Sequence, residues 1–391
     1  MKDVNTSNKI NIEDIKDKID GEIPEGGYII INEAGDAIFE LEFKDKTYVK
    51  LFTGEIVEEP KNADKYYIKV ETTTNSETEP FLGGPIRKEE IEKVITVPTN
   101  KVPSDVIGSF DVTDTTNQSE TGKVMVWYYD KDSNGLYEVY IGQVGRVKAN
   151  PDSTKLFNYL INVKEIDLTY LDTSNVTSMF VMFQRCENLE KIIGLENFDT
   201  SNVTDMTGMF NKCYKLQTIN LSSFDTSRVA NMSYMFTGCS DLTELKLSSK
   251  FITSSVTDMQ SMFQDCENLA QLDVSRFDTS KVTDVNAMFQ NCISLKEIDV
   301  SGFDTSAVTN MKWMFQGCSN LTSLDLRSFD TSQVTDMTNM FKETTNLKPI
   351  YIGEKWKTAS ASTNMFSGSK TTSVEELCEP GSTESWCVVT G

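Results

Sequence analysis

The sequence predicts an α/β repeat solenoid, one short strand and one short helix per coil of about 26 residues, preceded by small β-rich domains. Three observations carry this. A Met-Phe dipeptide returns through the second half, with Phe183, Phe210, Phe236, Phe263, Phe289, Phe315, Phe341 and Phe366 spaced 25 to 27 residues apart, and Phe157 standing 26 before the first. Fixed self-similarity at this period is the mark of a stacked array. Between the dipeptides, a Leu-x-x-Ile-x-Val run alternates apolar and polar residues, as a half-buried strand does. The chain of 391 residues is also longer than one ordinary core supports.

Each part of the coil has its own chemistry. The strand positions are Leu216/Ile219/Leu221, Leu242/Leu245/Leu247, Leu269/Leu272/Val274, Leu295/Ile298/Val300 and Leu321/Leu324/Leu326. Phe-Asp-Thr-Ser-x-Val follows, and Asp199, Asp225, Asp278, Asp304 and Asp330 are read as turn residues, because Asp and Ser bond their own backbone two residues on. Immediately before the first Met stand Ser178, Asp205, Asn231, Asp258, Asp284, Asn310 and Asp336, all preferred N-cap types. Met206 with Met209-Phe210, and their counterparts, then give the i, i+3, i+4 apolar spacing expected of a one-turn helix packed inward. A unit this small cannot bury its own apolar face, so copies stack and their strands build a parallel sheet.

The repeated Leu-x-x-Leu-Asp-Leu-x-x-Phe-Asp-Thr-Ser-x-Val-Thr-x-Met-x-x-Met-Phe-x-x-Cys resembles the BspA-like leucine-rich repeat of bacterial surface proteins, over about residues 151–370. The lead-in Asn150-Pro151-Asp152-Ser153 with Leu156-Phe157 is similar to that family's entry into its first coil. The resemblance implies a leucine-rich-repeat type of solenoid, surface display, and adhesion without catalysis. Family members usually carry a secretion signal and an anchor. The start of this sequence has no apolar h-region, and no stretch of about 18 apolar residues occurs in it.

Ahead of the repeats, residues 1–22 read as a tail and residues 23–72 as a small β-rich attachment or assembly module with runs at 28–31, 38–43, 48–52 and 66–70. Residues 73–104 read as a linker with a short helical pattern from Arg87 to Val94, and 105–150 as a β-hairpin capping the solenoid; 371–391 close the chain as a C-terminal cap. Ile23-Pro-Glu-Gly-Gly-Tyr28 is similar to small β modules near the base of bacteriophage virion fibres. This resemblance implies export by lysis, without a signal.

Composition narrows the chemistry. With no His, neither Ser-His-Asp nor Cys-His activation is available, nor His-ligated zinc. A net charge of −22 without a basic run disfavours nucleic acid and anionic membrane surfaces. No cofactor is expected. Cys186, Cys213, Cys239, Cys266, Cys292 and Cys318 form a ladder best read as buried packing, with zinc and inter-coil disulfides as alternatives. Cys378 and Cys387 bracket a Pro-Gly loop and are a candidate disulfide for an oxidising milieu. Asp130, Asp132 and Asn134 match the first half of a calcium loop, but position 12 is Ile141, and a hairpin turn accounts for the same residues. The Asp column matches the carboxylate pair of a glycosidase only superficially, since one environment is copied at every coil.

Outward positions vary from coil to coil while inward ones do not. Phe180, Tyr234 and Trp313 stand out there as candidate contacts, aromatic residues on a polar face being where contact energy concentrates. The expected function is non-enzymatic binding, as a phage virion appendage or, alternatively, a bacterial cell-surface adhesin. The expected partners are a protein or glycan on a cell surface, other virion or surface proteins through the N-terminal region, or further copies of the chain.

Overall fold

The computed structural model describes residues 67–69, 76–114 and 123–372, together with the backbone of short strands at 10–11, 28–30, 39–43, 46–50, 56–58 and 375–376. The chain divides into two compact units that interleave along the sequence: residues 1–69, 95–150 and 169–172 form one, and residues 70–94, 151–168 and 173–391 the other.

In the first unit, Ile10–Asn11, Tyr28–Ile30, Phe39–Phe43, Lys46–Lys50 and Ile56–Glu58 pair in chain order as an antiparallel sheet. The predicted hairpin is present: Met125–Tyr129 pairs antiparallel with Tyr137–Gly142, Trp127 opposite Tyr140, and Gly108–Asp111 adds to its other edge. Gly142 permits this arrangement. A Cβ there would lie 2.6 Å from the Trp127 ring, so the indole lies across a strand position that only glycine leaves open.

In the second unit the expectation of a linker helix is corrected. Lys88–Glu90 makes a single 3-10 turn and Ile91–Val97 is a strand, its last three residues belonging to the first unit. Glu90 accepts a hydrogen bond from the Arg87 backbone N–H at 2.7 Å and closes that one turn. The β-branched run Ile95-Thr96-Val97 then favours extended chain. Lys88 is fully buried and donates to Asn158 Oδ1 at 2.7 Å.

Successive repeats lie on one another in parallel register. Bridges link Asp152 to Ser178, then Asp205, Asn231, Asp258, Asp284, Asn310, Asp336 and Ala361. The phenylalanines from Phe157 to Phe366 stack with centroids 5.4–5.9 Å apart and planes within 17° of parallel. Beside them runs a column of buried methionines, from Met179 and Met182 to Met337 and Met340.

The predicted one-turn helix is absent. Met182, Gln184 and Cys186 donate to Met179, Val181 and Phe183, each three residues back, whereas Met179, Val181, Phe183 and Arg185 donate to the carbonyls of Asp205, Thr207, Met209 and Asn211 in the next repeat, at 2.7–3.0 Å. Half the N–H groups therefore leave the repeat, which an α-helix does not allow. The chain makes consecutive tight turns whose third residue takes positive φ: Val181 at 48°, Tyr234 at 60°, Trp313 at 60°. Among the described residues the helical segments are the 3-10 turns Phe81–Gly83, Lys88–Glu90 and Leu195–Asn197.

The strand edge is also less regular than the sequence predicts. Parallel pairs form between Glu165–Asp167 and Lys191–Ile193, Thr218–Leu221 and Glu244–Leu247, and Leu324–Leu326 and Ile350–Ile352, but residues 269–274 and 295–300 carry no strand. Across this gap the middle position of the strand edge carries Asp273, Asp299 and Asp325, where Asn220 and Lys246 stand in the paired repeats.

Two expectations follow from this packing. Phe289, with stacked neighbours on both sides and no exposure, should cost about 3–5 kcal/mol when replaced by Ala, read as a shift in the urea midpoint with the slope unchanged. The six ladder cysteines should resist a water-soluble alkylating reagent until the chain unfolds. Peptide mapping that finds any of them modified as fast as a small free thiol under native conditions would contradict their burial.

Candidate binding surface

Two ladders of short polar side chains stitch the repeats together, and a third closes a turn within each. The thiols of Cys186, Cys213, Cys239, Cys266, Cys292 and Cys318 are free and buried, and each donates to a phenylalanine carbonyl of the repeat before, at 3.0–3.3 Å. Burial pushes Cys239 and Cys318 up to about 12 and holds Cys213, Cys266 and Cys292 well above the usual thiol value. These are inert thiols, since the thiolate is the reactive form. Thr173, Thr200, Thr253, Thr279 and Thr305, nearly fully buried, donate through their hydroxyls to the Asp carbonyl of the next repeat at 2.8–3.0 Å.

The third ladder is the turn carboxylates. Asp199, Asp225, Asp278, Asp304 and Asp330 each accept the backbone N–H two residues on, at 3.0–3.1 Å. Asp199, Asp225 and Asp304 also take the Ser hydroxyl at 2.6–2.7 Å. Bonds from the following Ser hold Asp225, Asp278, Asp304 and Asp330 below the usual carboxylate range. Asp205, Asp258, Asp284 and Asp336 do the same from the cap position, accepting the N–H two residues on at 2.7–2.9 Å; they close a turn where the sequence predicts a helix cap. Burial raises Asp258, against its bond from the Gln260 N–H.

The sequence-selected contacts are spread out. Tyr234 is 38% exposed, and its hydroxyl accepts from Gln260 Nε2 of the next repeat. Trp313 is half-buried with the Lys312 ammonium 4.0 Å from its ring centre, and Phe180 is half-buried in the neighbouring column. Tyr234 and Trp313 occupy one column three repeats apart, so no single aromatic patch forms. Within the repeats the structure adds two exposed apolar residues, Ile252 and Ile293, each 39% exposed. Neither carries a pattern in the sequence that would single it out.

Shallow depressions of about 450 and 330 Å³ open along the strand edge where pairing lapses, the first lined by Gln271, Asp273, Glu297, Asp299 and Asp325 and the second by Lys246, Phe251 and Arg276. In the other unit, the carboxylates of the calcium-like run are taken up internally: Asp130 accepts from the N–H groups of Asn134 and Gly135 at 3.0 and 3.2 Å, and Asp132 from Asn134. Among the described residues no group of three or more acids or thiols is placed to hold a metal ion. Cys378 and Cys387 lie outside the described residues. Trp127, Tyr129 and Tyr140, which the sequence marks only as strand residues, line a groove of about 570 Å³; their alternation on facing strands is the available signal.

A family model described as Mycoplasma protein of unknown function, DUF285, matches residues 152–272 and again 257–377, together more than half the chain. The chain belongs to that family. Both DUF285 matches fall on the repeats, and the second begins inside the first, as a periodic pattern allows. No curated protein matches the chain. Among solved structures, a leucine-rich repeat protein from Eubacterium ventriosum ATCC 27560 is similar at 16% identity and a TM-score of 0.19, over 61% of this chain and 86% of that one. Among the described residues of this DUF285 protein, no helix is long and apolar enough to cross a membrane.

The titration pattern has a definite sign. Carboxyls held below the ordinary 3.8 favour the fold when ionised; that contribution is complete above 3.8 and is lost as pH falls through their lower folded values. Asp258, raised, opposes the fold once ionised and returns a part when protonated in mild acid. With no His in the chain, the urea midpoint should stay level between about pH 5 and 8 and drop below about pH 4. A midpoint that moves steeply near pH 6.5 would contradict this account.

Proposed function

We propose that this chain is a non-enzymatic binding protein of the BspA-like leucine-rich repeat class, acting at a bacterial cell surface as an adhesin. The repeats form a solenoid that presents a broad face to a protein or glycan, and the N-terminal strands serve for attachment or assembly. One observation carries the reading: buried columns are nearly identical from repeat to repeat, while half-buried side chains of the turns, such as Phe180, Thr207, Gln260, Asn286 and Lys312, differ from one repeat to another. A uniform scaffold under a varied skin suits recognition over a large area. The carboxylates that could serve acid–base chemistry are occupied by turn N–H groups and hydroxyls, which supports a role without catalysis. Of the two carriers considered, the family match, with its Mycoplasma description, favours a cell surface over a virion.

The test is capture of surface components by the full chain, compared with Tyr234→Ala and Trp313→Ala. Each substitution should weaken capture by about tenfold while the melting temperature holds. Undiminished capture by the double variant would remove these residues from the interface, and turnover of an oligosaccharide that disappears in Asp278→Asn would overturn the non-enzymatic reading.

A further inference from the structure

The groove in the first unit has a composition unlike the depressions along the repeats. Its walls include Thr99, Asp105, Trp127, Tyr129, Lys131 and Tyr140. The Trp127 and Tyr140 rings, opposite each other on paired strands, are parallel within 4° at 5.9 Å, and the Tyr129 ring meets Tyr140 edge-on at 85° and 5.6 Å. Two half-buried tyrosines thus form a corner, with the indole extending one wall. Polar groups stand at the rim. Asp105 is exposed and hydrogen-bonded with the Tyr129 hydroxyl. Lys131 donates to the Tyr140 hydroxyl at 2.9 Å and to Glu138 at 2.5 Å.

Each feature narrows the ligand. A cation is disfavoured because Lys131 already stands 5.5 and 5.4 Å from the centres of the Tyr129 and Tyr140 rings, supplying the positive charge those rings attract. An anion is disfavoured by Asp105 in the site, by Glu138 paired with Lys131, and by the charge of −22 on the chain. A proline-rich peptide could cover the rings, but proline lacks an N–H, so such a segment offers mostly carbonyl acceptors and brings Asp105 no donor beyond the Tyr129 hydroxyl. A sugar ring answers all of these demands. Its C–H face presents weakly positive hydrogens to the negative π-faces, and each hydroxyl both donates and accepts, so one ligand can satisfy Asp105, Lys131 and the Thr99 hydroxyl together. The volume falls within the range of small-ligand sites.

We propose that this groove binds a neutral pyranose saccharide, packed on Tyr129 and Tyr140 and held at its hydroxyls by Asp105 and Lys131. The site is separate from the repeat face and stands or falls independently of the function proposed for it.

Saturation-transfer NMR with the full chain and the methyl β-glycosides of glucose, galactose and N-acetylglucosamine tests the assignment. At least one sugar should receive magnetisation, strongest at ring C–H protons. Asp105→Ala should weaken its affinity about tenfold, the loss of a hydrogen bond to a charged group, and Tyr140→Leu should abolish it. If Tyr140→Leu does not fold, the exposed Asp105→Ala decides the matter alone. No transfer to any of the three sugars, an affinity unchanged in Asp105→Ala, or displacement of the sugar by a polyproline peptide or tetramethylammonium at lower concentration overturns the proposal. The Tyr234→Ala/Trp313→Ala variant should bind the sugar normally, so failure of the groove and failure of the repeat face give different results.

Discussion

The bond from a turn N–H in one repeat to a carbonyl in the next is the constraint on which the second unit depends. Phe183, Phe210, Phe236, Phe263, Phe289 and Phe315 each donate to a methionine carbonyl about 26 residues on, at 2.9–3.0 Å. That bond sets the spacing at which rings can stack, thiols can reach the preceding carbonyl and threonine hydroxyls can reach the following one. A residue inserted between the ladder positions of a turn would put the ladders on either side of it out of step, because each relies on the same register. The small variation seen in the sequence falls where the chain can absorb it, as in the extra length around the 3-10 turn Leu195–Asn197.

Polar groups inside such an array need partners, since none can turn to water. Threonine and cysteine are suited to this: each is compact, and each carries one donor that reaches a backbone carbonyl of a neighbouring repeat. Aspartate works at the border. Its carboxylate replaces the carbonyl that a regular turn would offer to the N–H two residues on, and a neighbouring Ser hydroxyl adds to the stabilisation of the charge. Most of the fold's acids along this edge are consequently fixed by neutral donors rather than by ion pairs. The outward Asp273 and Asp299 follow the same rule, accepting the N–H groups of Ser275 and Ser301.

Much of this is legible in the sequence. Periodicity identifies the buried Phe, Met and Cys columns, because a residue that recurs at every repeat must meet its own copy. Alternation gives the strand positions in kind but not in continuity: Leu269/Leu272/Val274 and Leu295/Ile298/Val300 alternate as the paired strands do and yet carry no strand. The helix expectation fails for a physical reason. Met206, Met209 and Phe210 show an i, i+3, i+4 spacing that a helix shares with consecutive three-residue turns, both of which bring those side chains to one side. Gly208, Gly238, Gly317 and Gly368 and Asn339 and Asn364, recurring at two fixed offsets, are the distinguishing signal, since positive φ every fourth residue suits turns and not a helix. The groove of the first unit is harder to see, because its walls come from segments that only folding brings together.

The parallel register carries an implication for how such a gene can change. Because every interface between neighbours is nearly the same, in-frame duplication or deletion of one stretch of about 26 residues by unequal recombination joins two ends that already fit. Array length can drift without any new core being invented, and point substitutions at the outward turn positions can then diversify each added copy on its own.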